Sequence, residues 1–206
     1  MTFPDTPFAD IAAFYDAYAD RIAAAMASVD RTALTRAADV FTSVYRSGAT
    51  LYVAGNGGSA AIANTFVCDH AKLVQTDTAL KPRVVSLAGN TPMMTAIAND
   101  ISYDDVFVYQ LQTYWRDGDA LVLISASGSS PNVVKAAEWA RAHGMPVVGF
   151  TGFAGGRLKE LATVSLHVDA DNYGVIEDTH QSLMHALAQY IRLAHMDPSV
   201  VADRKF

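Results

Sequence analysis

Apolar side chains recur every three or four residues in two separate segments between residues 8 and 44. The first segment carries Phe14, Tyr18 and Ile22, and the second carries Phe41 and Val44. This spacing places apolar side chains on one face of an α-helix. We therefore expect N-terminal helices within residues 1–47, ahead of an α/β core at residues 48–206.

The pattern changes from residue 50, where short apolar runs alternate with stretches long enough for helices. This alternation is typical of a parallel sheet covered by helices on both faces. Strands that are buried on both faces read as continuous apolar runs, as most of these runs do. The sequence therefore predicts a three-layer αβα sandwich. The five predicted strands are Thr50–Val53, Arg83–Leu87, Ala120–Ile124, Pro146–Phe150 and Val164–Val168.

Helix-start signals agree with this order of elements. Thr91-Pro92 and Ser130-Pro131 each place a hydroxyl before a proline, which is the arrangement favoured at an N-cap and the first helical position. A long final helix is predicted over Ile176–Met196, where apolar residues again follow a helical period. Because no internal repeat or flexible linker is found, we expect one domain over residues 1–206.

Composition and charge exclude several classes of protein. A content of 51% hydrophobic and 17% charged residues excludes a disordered or collagen-like chain. Lys and Arg number 15 against 21 Asp and Glu, so no cationic surplus exists to neutralise many phosphates. We therefore expect no nucleic-acid partner. A small-molecule role is the better hypothesis.

Membrane insertion and secretion are also not expected. The longest segment without a formal charge, Ser47–Cys68, is as long as a membrane span, but a Gly-Asn-Gly-Gly-Ser sequence in its middle would expose polar backbone to lipid. Cys68 is the one cysteine and has no disulfide partner, and the N-terminus shows no basic segment followed by an apolar one. These features predict a cytoplasmic protein with no membrane partner.

Two loops carry the candidate chemistry, because ligands of open parallel sheets bind beyond the carboxyl ends of the strands. After the first strand, Gly55-Asn56-Gly57-Gly58-Ser59 allows the backbone to approach a ligand closely. After the third strand, Ser125-Ala126-Ser127-Gly128-Ser129-Ser130 places four hydroxyls at the start of a helix, whose free amides favour an anion. This pattern indicates a phosphate site without a cation, although Ser130 alone could simply cap its helix.

Two nucleotide-binding alternatives are weaker. Gly55, Gly57 and Ala60 fit the spacing of a dinucleotide fingerprint, which expects a carboxylate at the end of the next strand. That strand is instead followed by Ala88-Gly89-Asn90, so a nicotinamide cofactor remains a minor alternative. Neither loop contains the Gly-Lys-Ser/Thr sequence of a nucleoside triphosphatase, and that class is excluded.

Polar residues also interrupt two otherwise apolar helices. Thr65 and Asp69 lie four residues apart, and Glu177, Gln181 and His185 step by four along the final helix. Residues four apart share one helix face. Such rows indicate a pocket or a subunit interface, while the ordinary alternative is a solvent-facing side of an amphipathic helix.

Several motifs together resemble the sugar isomerase (SIS) domain proteins of the phosphoheptose isomerase group. They are Gly55–Ala61, Ala96–Asp100, Tyr103–Phe107, Gly118–Asn132, Gly149–Gly152, Gly155-Gly156 and Glu177–His185. The resemblance implies a five-stranded parallel sheet and a sugar phosphate substrate. It also implies a homotetramer whose active sites use residues of neighbouring subunits, with the N-terminal helices at the subunit interface.

The resemblance further implies roles for individual residues. Asp69 and His185 correspond to the catalytic pair of the family, and Ser125, Ser127 and Ser130 would hold the phosphate. The full substrate-binding set comprises Asn56, Gly57, Gly58, Ser59, Asn99, Asp100, Ser125, Ala126, Ser127, Ser130 and Glu177.

Three positions depart from the family pattern. The chain has Asp69 where the isomerases carry Glu, Thr65 where they often carry a His that binds metal, and Glu177 where they carry Gln. Asp69, Glu177 and His185 still offer oxygen and nitrogen donors for a divalent ion. The expectation is thus that no cofactor is required, with Zn²⁺ bound by these three residues as the alternative.

The implied reaction interconverts sedoheptulose 7-phosphate and D-glycero-D-manno-heptose 7-phosphate through an enediol. In this hypothesis Asp69 is the base and His185 the acid, since such proton transfers need both. The changed positions leave two alternatives open. One is an isomerase for another sugar phosphate, and the other is a non-catalytic protein that senses a phosphosugar or binds a protein partner.

Overall fold

The computed structural model describes residues 2–206 and contains a five-stranded sheet. The strands lie in the order β2-β1-β3-β4-β5, and every neighbouring pair is parallel. Their bounds are Thr50–Gly55 (β1), Arg83–Ser86 (β2), Ala120–Ile124 (β3), Val147–Thr151 (β4) and Val164–His167 (β5). All five predicted strands are confirmed, with ends that differ by one or two residues.

Eight α-helices connect and cover the strands in the described part of the chain. They are Ile11–Ser28 (α1), Arg31–Ser47 (α2), Gly58–Val67 (α3), Thr91–Asp100 (α4), Val108–Tyr114 (α5), Pro131–Ala142 (α6), Gly156–Leu161 (α7) and Tyr173–His195 (α8). A π-helical segment, Cys68–Leu73, follows α3, and the short 3₁₀ helices Tyr103–Asp105 and Pro198–Asp203 lie after α4 and α8.

Two apolar clusters lie on opposite faces of the sheet, as the three-layer prediction requires. Alternate residues of β1 belong to different clusters. Leu51 and Val53 pack in the cluster under α2, α3 and α8, whereas Tyr52 and Ala54 pack in the cluster under α4 to α7. Because successive side chains of a strand point to opposite faces, β1 is buried on both sides. The predicted α/β fold with N-terminal helices is confirmed.

Two predicted helix starts are wrong by a few residues. The N-cap of α4 is Asn90, whose Oδ1 accepts from the amide of Met93 at 3.1 Å, so Thr91 is already inside the helix. Helix α8 begins at Tyr173 because Asn172 caps it through the amide of Val175. In both cases an Asn side chain accepts the hydrogen bond that fixes the first turn.

The helix after β1 also ends earlier than the spacing of Thr65 and Asp69 indicates. Helix α3 ends at Val67, and the chain continues as a wider π-helix through Cys68–Leu73. The amide of Val74 then bonds to the carbonyl of Asp69, five residues back. Such π-helical turns are rare and are often found at functional sites.

None of the helices described between residues 2 and 206 has the length and apolar character needed to cross a membrane.

Candidate active site

The loops that follow β1 and β3 meet at the carboxyl edge of the sheet, since these strands are neighbours. Together with the start of α8 they form a cavity of about 240 Å³. The cavity is lined by Asn56, Gly57, Gly58, Ser59, Ile124, Ser125, Ala126, Ser127, Ser130, Tyr173 and Glu177. The structure therefore brings nine of the predicted substrate-binding residues into one wall, as the position of the two loops indicates.

The glycine loop is packed too closely for larger side chains. A Cβ on Gly55 would lie 2.8 Å from the carbonyl oxygen of Ile124, and Gly57 has a positive φ of 53°. A Cβ on Gly58 would overlap the carboxylate of Glu177. The start of α3 and the start of α8 thus meet at Gly58, and Glu177 is held over the first turn of α3.

Backbone contacts fix the serine loop, and the hydroxyl oxygens of Ser125 and Ser127 accept hydrogen bonds from amides of the same loop. Gly128 has a φ of 64°, and its carbonyl accepts from the amide of Leu158 at 2.9 Å. The amide of Gly152 bonds to the carbonyl of Ala126 at 2.8 Å. Ser130 is the N-cap residue of α6 but makes no side-chain capping bond. Its hydroxyl is therefore not used for helix capping.

The electrostatic potential in the cavity is set by the N-terminal end of α6 and by the carboxylate of Glu177. Within the described part of the chain its wall contains no Lys or Arg, and an anion would meet the free amides at the N-terminus of α6. Burial raises the pKa of Glu177, and the neighbouring carboxylate of Asp178 raises it further. Both effects disfavour the ionised form of Glu177.

Two residues that sequence reasoning did not single out hold Asn56 in place. Asn56 and Asn132 exchange reciprocal amide hydrogen bonds of 2.8 and 2.9 Å, and the hydroxyl of Tyr103 donates to Oδ1 of Asn56 at 2.9 Å. Asn132 is buried at the start of α6. No spacing in the sequence reveals this cluster, because it joins segments up to 76 residues apart.

Asn99 and Asp100 lie away from the cavity wall in this chain. They sit at the exposed end of α4, where the amide of Asn99 donates to Oδ1 of Asp100 at 2.7 Å. Their predicted contact with the sugar therefore has no support within a single chain.

Asp69 and His185 form a hydrogen-bonded pair, although 116 residues separate them. The ring nitrogen Nδ1 of His185 bonds to Oδ2 of Asp69. The other nitrogen, Nε2, faces the side-chain amide nitrogen of Gln181 at 2.8 Å. The side chain of His185 is 41% exposed and that of Asp69 is 19% exposed, so a ligand can reach both.

His70 anchors the π-helix that carries Asp69. Its ring is fully buried, stacks on Phe66 at 3.8 Å between ring centroids, and shares a hydrogen bond of 2.8 Å between Nδ1 and the hydroxyl of Tyr45. Burial lowers the pKa of His70 to about 3, and the ring is neutral at pH 7. His70 thus fixes the backbone beside Asp69 without adding charge to the site.

The predicted metal set is not assembled within the chain. Among residues 2–206 no three His, Cys, Asp or Glu side chains converge on a point. Glu177 precedes His185 by eight residues, which is about 12 Å of helix at 1.5 Å per residue. The hydroxyl of Thr65 donates back to the carbonyl of Ala61 at 3.1 Å. Within one chain, Asp69, Glu177 and His185 therefore do not form a zinc site.

Two relatives that are named phosphoheptose isomerases are similar to this chain in sequence. The chain is 40% identical over 158 residues to a probable phosphoheptose isomerase of Thermoplasma acidophilum, which covers 75% of this chain and 84% of that relative. It is 38% identical over 156 residues to the phosphoheptose isomerase of Mycobacterium bovis, covering 75% of this chain and 78% of that one.

Solved structures agree with these relatives. The phosphoheptose isomerase of Neisseria gonorrhoeae superposes with a TM-score of 0.79 at 30% identity, covering 88% of this chain and 97% of that one. The phosphoheptose isomerase of Francisella tularensis gives 0.81 at 26% identity, covering 89% and 96%. The SIS domain model matches residues 14–152, which span β1 to β4 and both loops of the cavity. With most of its length matched in this way, the chain belongs to the SIS domain family.

Proposed function

We propose that the chain is an aldose–ketose isomerase that converts sedoheptulose 7-phosphate into D-glycero-D-manno-heptose 7-phosphate. The observation that carries this function is the combination of a serine-rich cavity with a solvent-accessible Asp69–His185 pair, joined by α8, which contributes Glu177 to the cavity and His185 to the pair. Identity of 38 to 40% to proteins named phosphoheptose isomerase supports the choice of substrate.

The phosphate of the substrate binds in the cavity between the two loops. Ser125, Ser127 and Ser130 supply hydroxyls, and the start of α6 supplies backbone amides. An anion at a helix N-terminus needs no cation, because the amides and the helix dipole both favour negative charge. Glu177, which lines the same cavity, contacts sugar hydroxyls near the phosphate.

The spacing along α8 favours an extended substrate. Glu177 lines the phosphate cavity, and His185 lies about 12 Å further along the helix axis. A molecule with its phosphate in the cavity therefore needs several carbons to reach Asp69 and His185. This geometry favours a long-chain sugar phosphate over a triose phosphate.

The reaction moves one proton between carbons and one between oxygens. Oδ2 of Asp69 accepts from His185, which leaves Oδ1 to take the proton from C1 of the ketose and return it to C2. His185 takes the proton of the C1 hydroxyl at Nε2 and gives it to the former carbonyl oxygen at C2. Each positioned acid or base contributes about 10² to 10⁴ in rate.

The test is conversion of sedoheptulose 7-phosphate by the purified protein, followed by NMR detection of the aldose phosphate. We expect conversion by the wild type, and losses of about 10² or more in kcat for Asp69→Asn and His185→Ala. Asp39→Asn and His195→Ala are the matched controls, because these residues lie on α2 and at the end of α8, away from the pair. Full activity in Asp69→Asn would contradict the assignment of the base.

A non-catalytic outcome is distinguishable in the same experiment. Binding to the native state raises thermal stability with ligand concentration. Stabilisation by sedoheptulose 7-phosphate without any conversion would replace the isomerase with a phosphosugar-binding protein. Conversion of a different sugar phosphate would keep the enzyme and change its substrate.

Assembly and location are part of the same proposal. The enzyme works as a homotetramer, a state supported by large apolar side chains that α1 and α8 leave exposed: Ile11 at 78%, Tyr15 at 67% and Tyr190 at 61%. It works in the cytoplasm, which suits the single thiol of Cys68. We expect the reaction to proceed without a metal ion, on the residues of the Asp69–His185 pair and of the cavity.

A further inference from the structure

Gln181 is placed between the phosphate cavity and the catalytic pair, one helical turn before His185 on α8. Its amide nitrogen lies 2.8 Å from Nε2 of His185, while Asp69 occupies Nδ1. Both ring nitrogens of His185 therefore have a partner, and the two partners lie on opposite edges of the ring. Neither the catalytic pair nor the phosphate cavity requires Gln181 for its own chemistry.

The two contacts select one form of the neutral ring. A carboxylate only accepts, so Nδ1 of His185 carries the proton that Asp69 receives. Nε2 of a neutral ring then holds a lone pair, which needs a donor, and the amide of Gln181 supplies an N–H. A single hydrogen bond would let the imidazole pivot about Nδ1, whereas bonds at both ends fix its plane.

Gln181 also suits the charge of the site. The charged neighbour of His185 is Asp69, and the ring of His70 beside it is buried and neutral. An amide holds the ring without adding a second negative charge. It is also about as long as a glutamate side chain, so a matched substitution exists that keeps the shape and removes the donor.

We propose that Gln181 is a positioning residue that holds His185 as the Nδ1–H form with the lone pair of Nε2 facing the substrate side. The inference rests on the proposed function of Asp69 and His185. When the sugar binds, its C1 hydroxyl replaces the amide of Gln181 at Nε2 and transfers its proton there. The ring becomes an imidazolium, whose charge Asp69 balances, and it returns the proton to the oxygen at C2.

The kinetic test compares Gln181→Glu and Gln181→Met with the wild type. Both keep the length of the side chain and lose the amide donor. We expect kcat to fall about tenfold in each, because the imidazole is then held at Nδ1 alone and meets the C1 hydroxyl in a less favourable orientation, with KM changed less than about twofold. Gln112→Met, an exposed glutamine on α5, is the control and should keep wild-type kcat. Unchanged kcat in both Gln181 variants of an active enzyme would overturn the proposal.

A spectroscopic measurement separates this inference from the proposed function, because it needs no turnover. In ¹⁵N-histidine NMR of the unliganded protein at pH 8, the His185 signal, assigned with His185→Gln, should show a protonated Nδ1 and an unprotonated Nε2. Gln181→Met should keep the protonated Nδ1, which Asp69 still requires, but should change the chemical shift of Nε2, because that nitrogen loses its donor. An unchanged ring signal in Gln181→Met overturns the inference. A changed signal in a protein that converts no sugar phosphate supports the inference and rejects the isomerase.

Discussion

Gly58 shows how a single missing side chain shapes the cavity. Its position opposite the Glu177 carboxylate leaves no space for a methyl group. Alanine normally stabilises a helix by about 0.5 to 1 kcal/mol relative to glycine, so a clash must outweigh that gain for the substitution to be harmful.

We predict that Gly58→Ala displaces the Glu177 carboxylate, which is the flexible end of its side chain, so that stability changes by less than about 1 kcal/mol while binding of the sugar phosphate weakens. Thermal unfolding with and without sedoheptulose 7-phosphate measures both effects. Glu177→Ala removes the carboxylate, and Gly58→Ala should then have no further effect on binding in the double variant. Additive losses of binding in the double variant would show that the two residues do not interact.

The sequence predicts those residues of the cavity that lie in the loops after parallel strands, because such loops meet at the carboxyl edge of the sheet. Ser125 and Gly57 follow buried strands directly, and the edge of a parallel sheet brings such loops together. Tyr103 and Asn132 escaped prediction, since their contact with Asn56 depends on how α6 and the segment after α4 pack. The metal set stays a prediction, since within one chain Asp69, Glu177 and His185 do not converge on one point.

At the scale of elements, hydrophobic spacing predicted the strands and the long helices but could not reveal the π-helix. The wider turn of Cys68–Leu73 changes which side chain faces α8, and six residues are too few for hydrophobic spacing to distinguish the two helical periods. The resemblance to the family pairs Asp69 with His185, and the structure adds the hydrogen bond between them. The role of His70 in anchoring this segment has no signal in the sequence.

The packing of α8 on the sheet makes stability depend on pH through His180. This ring is fully buried next to Phe150, and Nε2 donates to the carbonyl of Thr151 at 3.2 Å. Burial lowers the pKa of His180 from 6.5 to about 4. The unfolded chain therefore binds a proton more readily than the native protein between these two values, and stability falls as pH drops from about 6.5 toward 4.

We expect the free energy of unfolding to fall by about 2 kcal/mol from His180 alone between pH 7 and pH 5, with His70 acting in the same direction. Urea unfolding at the two pH values measures the difference. His180→Leu should show a smaller loss between pH 7 and pH 5, whereas His143→Leu, at an exposed histidine, should keep the wild-type difference. An equal pH difference in all three proteins would rule out His180 as the source.

At the scale of the whole molecule, the strand order follows from connections that the alternation of strands and helices already indicates. Parallel strands joined by helices leave few possible arrangements, and the five apolar runs fill the observed sheet. The surface was harder to predict, because exposure of Tyr190 or Ile11 depends on the neighbours that α1 and α8 acquire in the fold. These exposed residues lie on the layer formed by α1, α2 and α8, while α5 lies on the opposite face of the sheet.

An exposed apolar layer of this kind points to association with further copies of the chain. We predict that light scattering after size exclusion gives a mass of about 88 kDa, four times the 22.0 kDa of one chain. Tyr190→Glu places a charge on this layer and should shift the mass toward dimers or monomers, since burying an unpaired charge is costly. Tyr109→Glu, at a half-exposed tyrosine on α5, should leave the mass unchanged. A wild-type mass of 22 kDa would reject the tetramer, and an active monomer would place the complete site in one chain.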